Sequence, residues 1–142
     1  MKHTTTACAL TLATAALLVG CQGMPSEAEM DEQVEIVHTN MDELVAYFGA
    51  HPEVVRDYVG LCDNEIGARG EEVVYDLTIP MDRATFQAIV AQLPAHYPAT
   101  EWRLRTSNPE RISFRKNDLH MSATFRPRRD EVDFYGTTGC RH

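Results

Sequence analysis

Residues 111–126 read Arg-Ile-Ser-Phe-Arg-Lys-Asn-Asp-Leu-His-Met-Ser-Ala-Thr-Phe-Arg. Ile112, Phe114, Leu119, Met121, Ala123 and Phe125 alternate with Ser113, Arg115, His120, Ser122, Thr124 and Arg126, and a period of two is that of a half-buried strand. Asn117-Asp118 interrupts the alternation with a two-residue turn, so the stretch is a hairpin with strands near 111–116 and 119–126. Ser107-Asn108-Pro109-Glu110 separates it from a strand near 101–106, and Pro127 to Asp130 from one near 131–138. Trp102, Leu104, Val132 and Phe134 join the apolar face, and Arg103 and Arg105 the polar one. The C-terminal part is therefore an antiparallel meander with one dry face and one wet face.

A one-sided sheet needs a cover, and two upstream segments supply it. Ser26-Glu27-Ala28-Glu29 is a capping-box sequence. After it Met30, Val34, Val37, Met41, Leu44, Val45 and Phe48 recur at spacings of three and four until Gly49 and Pro52, which predicts a helix over 27–48 whose stripe packs on the core. Asp82 caps a second helix with Phe86, Ile89, Val90 and Leu93 inward, ending before Pro98. Between the helices, 53–61 admits a helix extension or a strand leading to Cys62 and is read as a strand. Gly67 and Gly70 mark a loop, and Val73, Tyr75, Leu77 and Ile79 mark a strand ended by Pro80. The expected fold is a two-layer α+β domain, an antiparallel sheet with both amphipathic helices on one face and one disulfide.

The chain has 142 residues and a net charge of −8, and the charge is unevenly spread. Residues 22–65 are rich in acid with Arg56 as their only base, whereas 103–129 hold eight bases against Glu110 and Asp118. An acidic total argues against nucleic acid, whose binding rests on a basic footprint.

The N-terminus reads as an address. Met1-Lys2-His3 is followed by an uncharged stretch from Ala7 to Val19, shorter than the ~20 residues that cross a bilayer as a helix. Leu18-Val19-Gly20-Cys21 closes it and resembles the lipobox of bacterial lipoproteins. The resemblance implies that residues 1–20 are a signal peptide removed before Cys21. Cys21 would then carry diacylglycerol on its thiol and an acyl chain such as palmitate on the new amine. Residues 21–26 become a lipidated tether, and 27–142 a single domain held at the extracytoplasmic side of the cell membrane by its lipids. The order of lipobox, acidic helix, Cys62-Asp63, strand, helix, strands and Thr138-Gly139-Cys140 is similar to small actinobacterial lipoproteins of the LppA kind. That likeness implies a cell-envelope lipoprotein with a Cys-to-Cys bridge and brings no catalytic residue.

Of four cysteines, Cys8 leaves with the leader and Cys21 takes lipid, so Cys62 and Cys140 remain in an oxidising compartment. A bridge is favoured over free thiols, and over a metal site for which His142 is poorly spaced. Closing so long a loop is worth about 4 kcal/mol in the chain-entropy estimate.

The most site-like feature is the wet row Arg103, Arg105, Arg115 and Arg126, because clustered guanidinium forks suit carboxylates and phosphates. A solvated face, neutralised by the acidic helix or by neighbouring acids, is the competing reading. No metal motif, phosphate loop or serine-nucleophile motif is present, and neither cofactor nor metal is expected. The functional expectation is a monomeric, non-catalytic module that binds or scaffolds an envelope protein or polyanion. The alternatives are an inhibitor or immunity-type lipoprotein resting on the acidic helix, and a small envelope hydrolase using His120 and Ser122.

Overall fold

The computed structural model describes residues 24–63, 67 and 69–142. Helix α1 (Glu27–Ala46) leads into a long hairpin of β1 (Glu53–Asp63) and β2 (Arg69–Pro80). Helix α2 (Arg83–Gln92) follows, continued by a 3-10 turn, Leu93–Ala95. Strands β3 (Arg103–Asn108), β4 (Arg111–Lys116), β5 (Leu119–Arg126) and β6 (Glu131–Thr137) complete the domain. The six strands form one sheet in the order β1-β2-β6-β5-β4-β3, with every pairing antiparallel. The two-layer α+β architecture is thus as the alternation required.

Both helix starts follow from their caps. The amide of Glu29 donates to Ser26 Oγ at 3.3 Å and the amide of Ser26 to Glu29 Oε2 at 2.7 Å, closing the capping box. The Thr85 amide donates to Asp82 Oδ1 at 2.9 Å at the head of α2. Met30, Val37, Met41, Leu44 and Val45 of α1 and Phe48 just after it are buried, so the stripe is core. The helix ends at Ala46, two residues before the periodicity expects, because the Phe48 and Gly49 amides both turn back to the Val45 carbonyl. Phe86 of α2 and Leu93 of the turn after it are buried, while Ile89 and Val90 lie at the core's margin.

The core is a layer between the helices and the strand face expected to be dry. Phe86 stacks on Phe48 and Phe125, with centroids 5.9 and 5.8 Å apart, and Phe48 meets Phe134 edge-on at 5.0 Å. Trp102 is buried against Tyr97, so its packing role is structural. Where α1 crosses the sheet, β6 carries Gly136. A Cβ there would lie 2.5 Å from Met41 Cγ, so the missing side chain sets how closely helix and sheet approach.

Several strand boundaries differ from expectation. Gly70, Glu71 and Glu72 belong to β2 and not to a loop, because they pair with Cys62, Leu61 and Gly60 of β1, and on its other side Glu71 exchanges both backbone hydrogen bonds with Arg141, at 2.9 and 2.8 Å. That crossing is close: a Cβ on Gly70 would sit 2.0 Å from the Arg141 carbonyl oxygen. Strand β3 starts after Trp102, whose amide is held by the Pro98 carbonyl, and runs to Asn108, which shortens the turn to Pro109-Glu110. Strand β6 ends at Thr137. Residues 53–61 are strand, and β1 continues to Asp63.

Cys62 and Cys140 form a disulfide with Cα atoms 5.7 Å apart and a sequence separation of 78. It ties the end of edge strand β1 to the C-terminal segment. Replacing both cysteines by serine should lower stability by about 2–4 kcal/mol. Gly136→Ala should cost about 1–3 kcal/mol by forcing α1 off the sheet. Urea unfolding with the circular dichroism of the folded state checks both, and a Gly136→Ala protein as stable as the parent would refute the close-approach argument.

Candidate anion-binding face

The sheet face turned away from the helices carries the polar half of the alternation. Register places Arg103 beside Arg115 and Arg115 beside His120, with Arg105 beside Ser113 and Ser113 beside Ser122. Arg111 stands on the same face at the head of β4, opposite Thr124. Arg103, Arg105, Arg111, Ser113, Arg115 and His120 surround a hollow of about 500 Å³ spanning β3 to β5.

None of Arg103, Arg105, Arg111 and Arg115 has an ion pair or side-chain hydrogen bond among the described residues. The bases that do are elsewhere: Arg56 with Asp76, Arg83 with Glu110, Lys116 with Glu101, and Arg141 with Asp118. Arg126, expected in the same row, belongs to this second group. Its Nε donates to Asp133 Oδ2 at 2.6 Å, and Arg129 reaches Asp133 at 3.3 Å and Glu131 at 2.8 Å. These charges border a second hollow, over β5, β6 and β2, together with Arg56, Asp76 and Glu53, and Arg111 lies on the boundary and lines both. The expected row of four is thus three arginines in one hollow, and Arg126 neutralised in the next.

The fourth free arginine, Arg111, was missing from the sequence-based row, although the alternation through Ser113 and Arg115 extends to it. The acidic helix cannot neutralise these side chains, because α1 packs on the other face of the sheet through Met41, Leu44 and their neighbours.

His120 is half-buried, with its ring edge-on to Tyr135 at a centroid distance of 6.4 Å. Burial first, and then the positive charges of Arg115 and Arg111, hold its imidazole below the usual histidine value. Ser122 is buried on the same face, yet no hydrogen bond joins His120 to Ser122 or to a carboxylate among the described residues. The nucleophile and base of the hydrolase alternative are therefore not assembled.

Residues 1–20 and Cys21 lie outside the described residues. Among the described residues, no group of His, Cys, Asp and Glu could hold a metal ion, and no helix is long and apolar enough to cross a membrane. Fold and face together define a disulfide-linked two-layer α+β domain with a cluster of unpaired arginines on its sheet face. Comparison with protein-family models, with curated proteins and with solved structures finds no match to this chain.

Unpaired like charges side by side weaken a sheet slightly, whereas paired ones contribute up to about 1 kcal/mol. Arg103→Gln or Arg115→Gln should therefore leave the melting temperature unchanged or raise it at low salt. Asp133→Asn, which removes the acid paired with Arg126 and one of the two paired with Arg129, should lower it. Thermal unfolding at low and high salt distinguishes these, and a marked loss on replacing Arg103 would show that it has a partner after all.

Proposed function

We propose that this chain is a cell-envelope lipoprotein, anchored by lipid on Cys21, whose domain binds a linear anionic polymer of the envelope without catalysing a reaction. The observation that carries the reading is the set of four arginines on one sheet face, none of which has an ion pair or side-chain hydrogen bond among the described residues. Four unpaired guanidinium groups within one hollow raise the local concentration of anions and present paired donors to phosphate, sulfate or carboxylate. Spacing favours a polymer over a single ion. Alternate residues along a strand are about 6.7 Å apart and adjacent strands about 4.8 Å, so the four heads cover more ground than one anion fills.

The anchor supports the same reading from the other side. Chains of buried methylene on one residue hold a soluble domain at a membrane. Only a few residues separate Cys21 from the Ser26 cap, so the domain stays within roughly 15–20 Å of the lipid. A module so placed meets the polymers of the envelope, not those of the cytoplasm.

Two measurements test the proposal. In a bacterial host, Cys21→Ala should move the protein from the membrane fraction to the soluble one, and a variant that still partitioned with membranes would defeat the anchor. Dextran sulfate should bind the soluble domain with an affinity that falls steeply with salt, about three decades per decade of salt if all four arginines release counterions. Replacing Arg103, Arg105, Arg111 and Arg115 by glutamine should weaken it at least about tenfold. Unchanged binding in that variant would remove the site.

A further inference from the structure

His120 stands where two hollows meet. The arginine hollow lies on one side. On the other, a hollow of about 390 Å³ runs between the β4–β5 turn and the C-terminal segment, and Arg115 and His120 border both. The groups that face the ring are few. Strand β4 presents Arg115 directly opposite and Arg111 further along, and beyond it β3 presents Arg103 and Arg105. Strand β6 presents Thr137 opposite and the Tyr135 ring edge-on. The turn presents Asp118, whose carboxylate is held 2.8 Å from Arg141 of the C-terminal segment. No unpaired carboxylate of the described residues stands among them.

The free imidazole therefore sits beside cations with nothing to balance a charge of its own, which keeps it neutral at pH 7. An anion seated on Arg115 and its neighbours reverses that environment. It supplies the negative charge a protonated ring lacks and lies within reach of the ring edge, since the same hollow holds both. We propose that His120 is a fifth, conditional cation of the anion site, taking up one proton as the ligand binds.

The proposal rests on the anion-binding reading of this face and adds to it a sign that the four arginines cannot produce. Guanidinium charge is constant at accessible pH, so arginines alone bind with an affinity independent of pH. With His120 taking part, the bound state holds more proton than the free state. Affinity then rises as pH falls through the interval between the ring's bound and free midpoints.

Dextran sulfate is a suitable probe because sulfate esters do not titrate between pH 5 and 8. Binding to the soluble domain should tighten about three- to tenfold between pH 7.5 and 5.5. Calorimetry at pH 6.5 in buffers of different ionisation heat should show net proton uptake. His120→Gln should show neither the pH dependence nor the uptake. In the unmodified protein, the NMR titration of the His120 ring should move to higher pH when dextran sulfate is added, a readout that does not depend on how the variant folds. Binding that is flat with pH, a His120→Gln protein that keeps the slope, or a ring midpoint indifferent to ligand overturns the role of His120 and leaves the arginine site standing. No binding at any pH overturns both.

Discussion

One long helix over one face of a six-stranded sheet is the constraint that arranges the rest of this molecule. Helix α1 can bury only the strands beneath it, and it lies over β2, β6 and β5, the middle and not the edges. Gly136 lets it sit low there, against Met41 and Val37. The aromatic run of Phe48, Phe86, Phe125 and Phe134 then fills the space that α2 closes. Because the apolar side chains are committed to that layer, strict alternation sends Arg103, Arg105, Arg111, Arg115 and His120 to the opposite face together. The cationic surface is a consequence of the core's register, since a slip of one residue in β4 would bury Arg115 and expose Phe114.

The parts of this fold that are legible from sequence are those where local chemistry and long-range packing agree. The β4–β5 hairpin has alternation and a turn pair at one place. Asn117 takes the positive φ of 51° such a turn demands. The head of α1 has its capping box, and the outcome is a helix beginning where the motif does. What sequence does not show depends on partners distant in the chain. The first residues of β2 carry Arg69, Glu71 and Glu72, whose charges read as loop, yet they pair with the end of β1 and are braced on the other side by Arg141, far along the chain. The neutralisation of Arg126 likewise follows from the β5–β6 register, which brings Asp133 within reach, and no spacing rule announces it.

The same arrangement separates charge across the sheet. Acid accumulates on the solvent side of α1, and the unpaired arginines lie beyond a dry aromatic layer. Neither surface screens the other well, because the path between them runs through low-dielectric protein, while the solvent path is long against a Debye length of about 8 Å. An acidic total charge is therefore compatible with a locally strong attraction for anions. The net figure of −8 describes the whole molecule, and the hollow between β3 and β5 experiences its own arginines.

The two edges of the sheet meet opposite fates. Strand β3 is short and lined with arginine, a form that resists pairing with another chain. Strand β1 is long and outside the helix cover, and leaves Val54, Val55, Tyr58, Val59 and Leu61 exposed, Leu61 at 74 %. An edge like this has little burial to hold it. What holds it is backbone pairing with β2, the Arg56 pair with Asp76, the hydrogen bond of His38 to Asp57 at 2.8 Å, and the disulfide at its far end. The bridge also reaches beyond β1. Through Cys140 it fixes the C-terminal segment whose Arg141 pairs with Glu71 and whose backbone walls the hollow beside His120. One covalent link thus secures the least buried strand and one margin of the cationic face, which explains why so long a loop is closed at that position and not within the aromatic core.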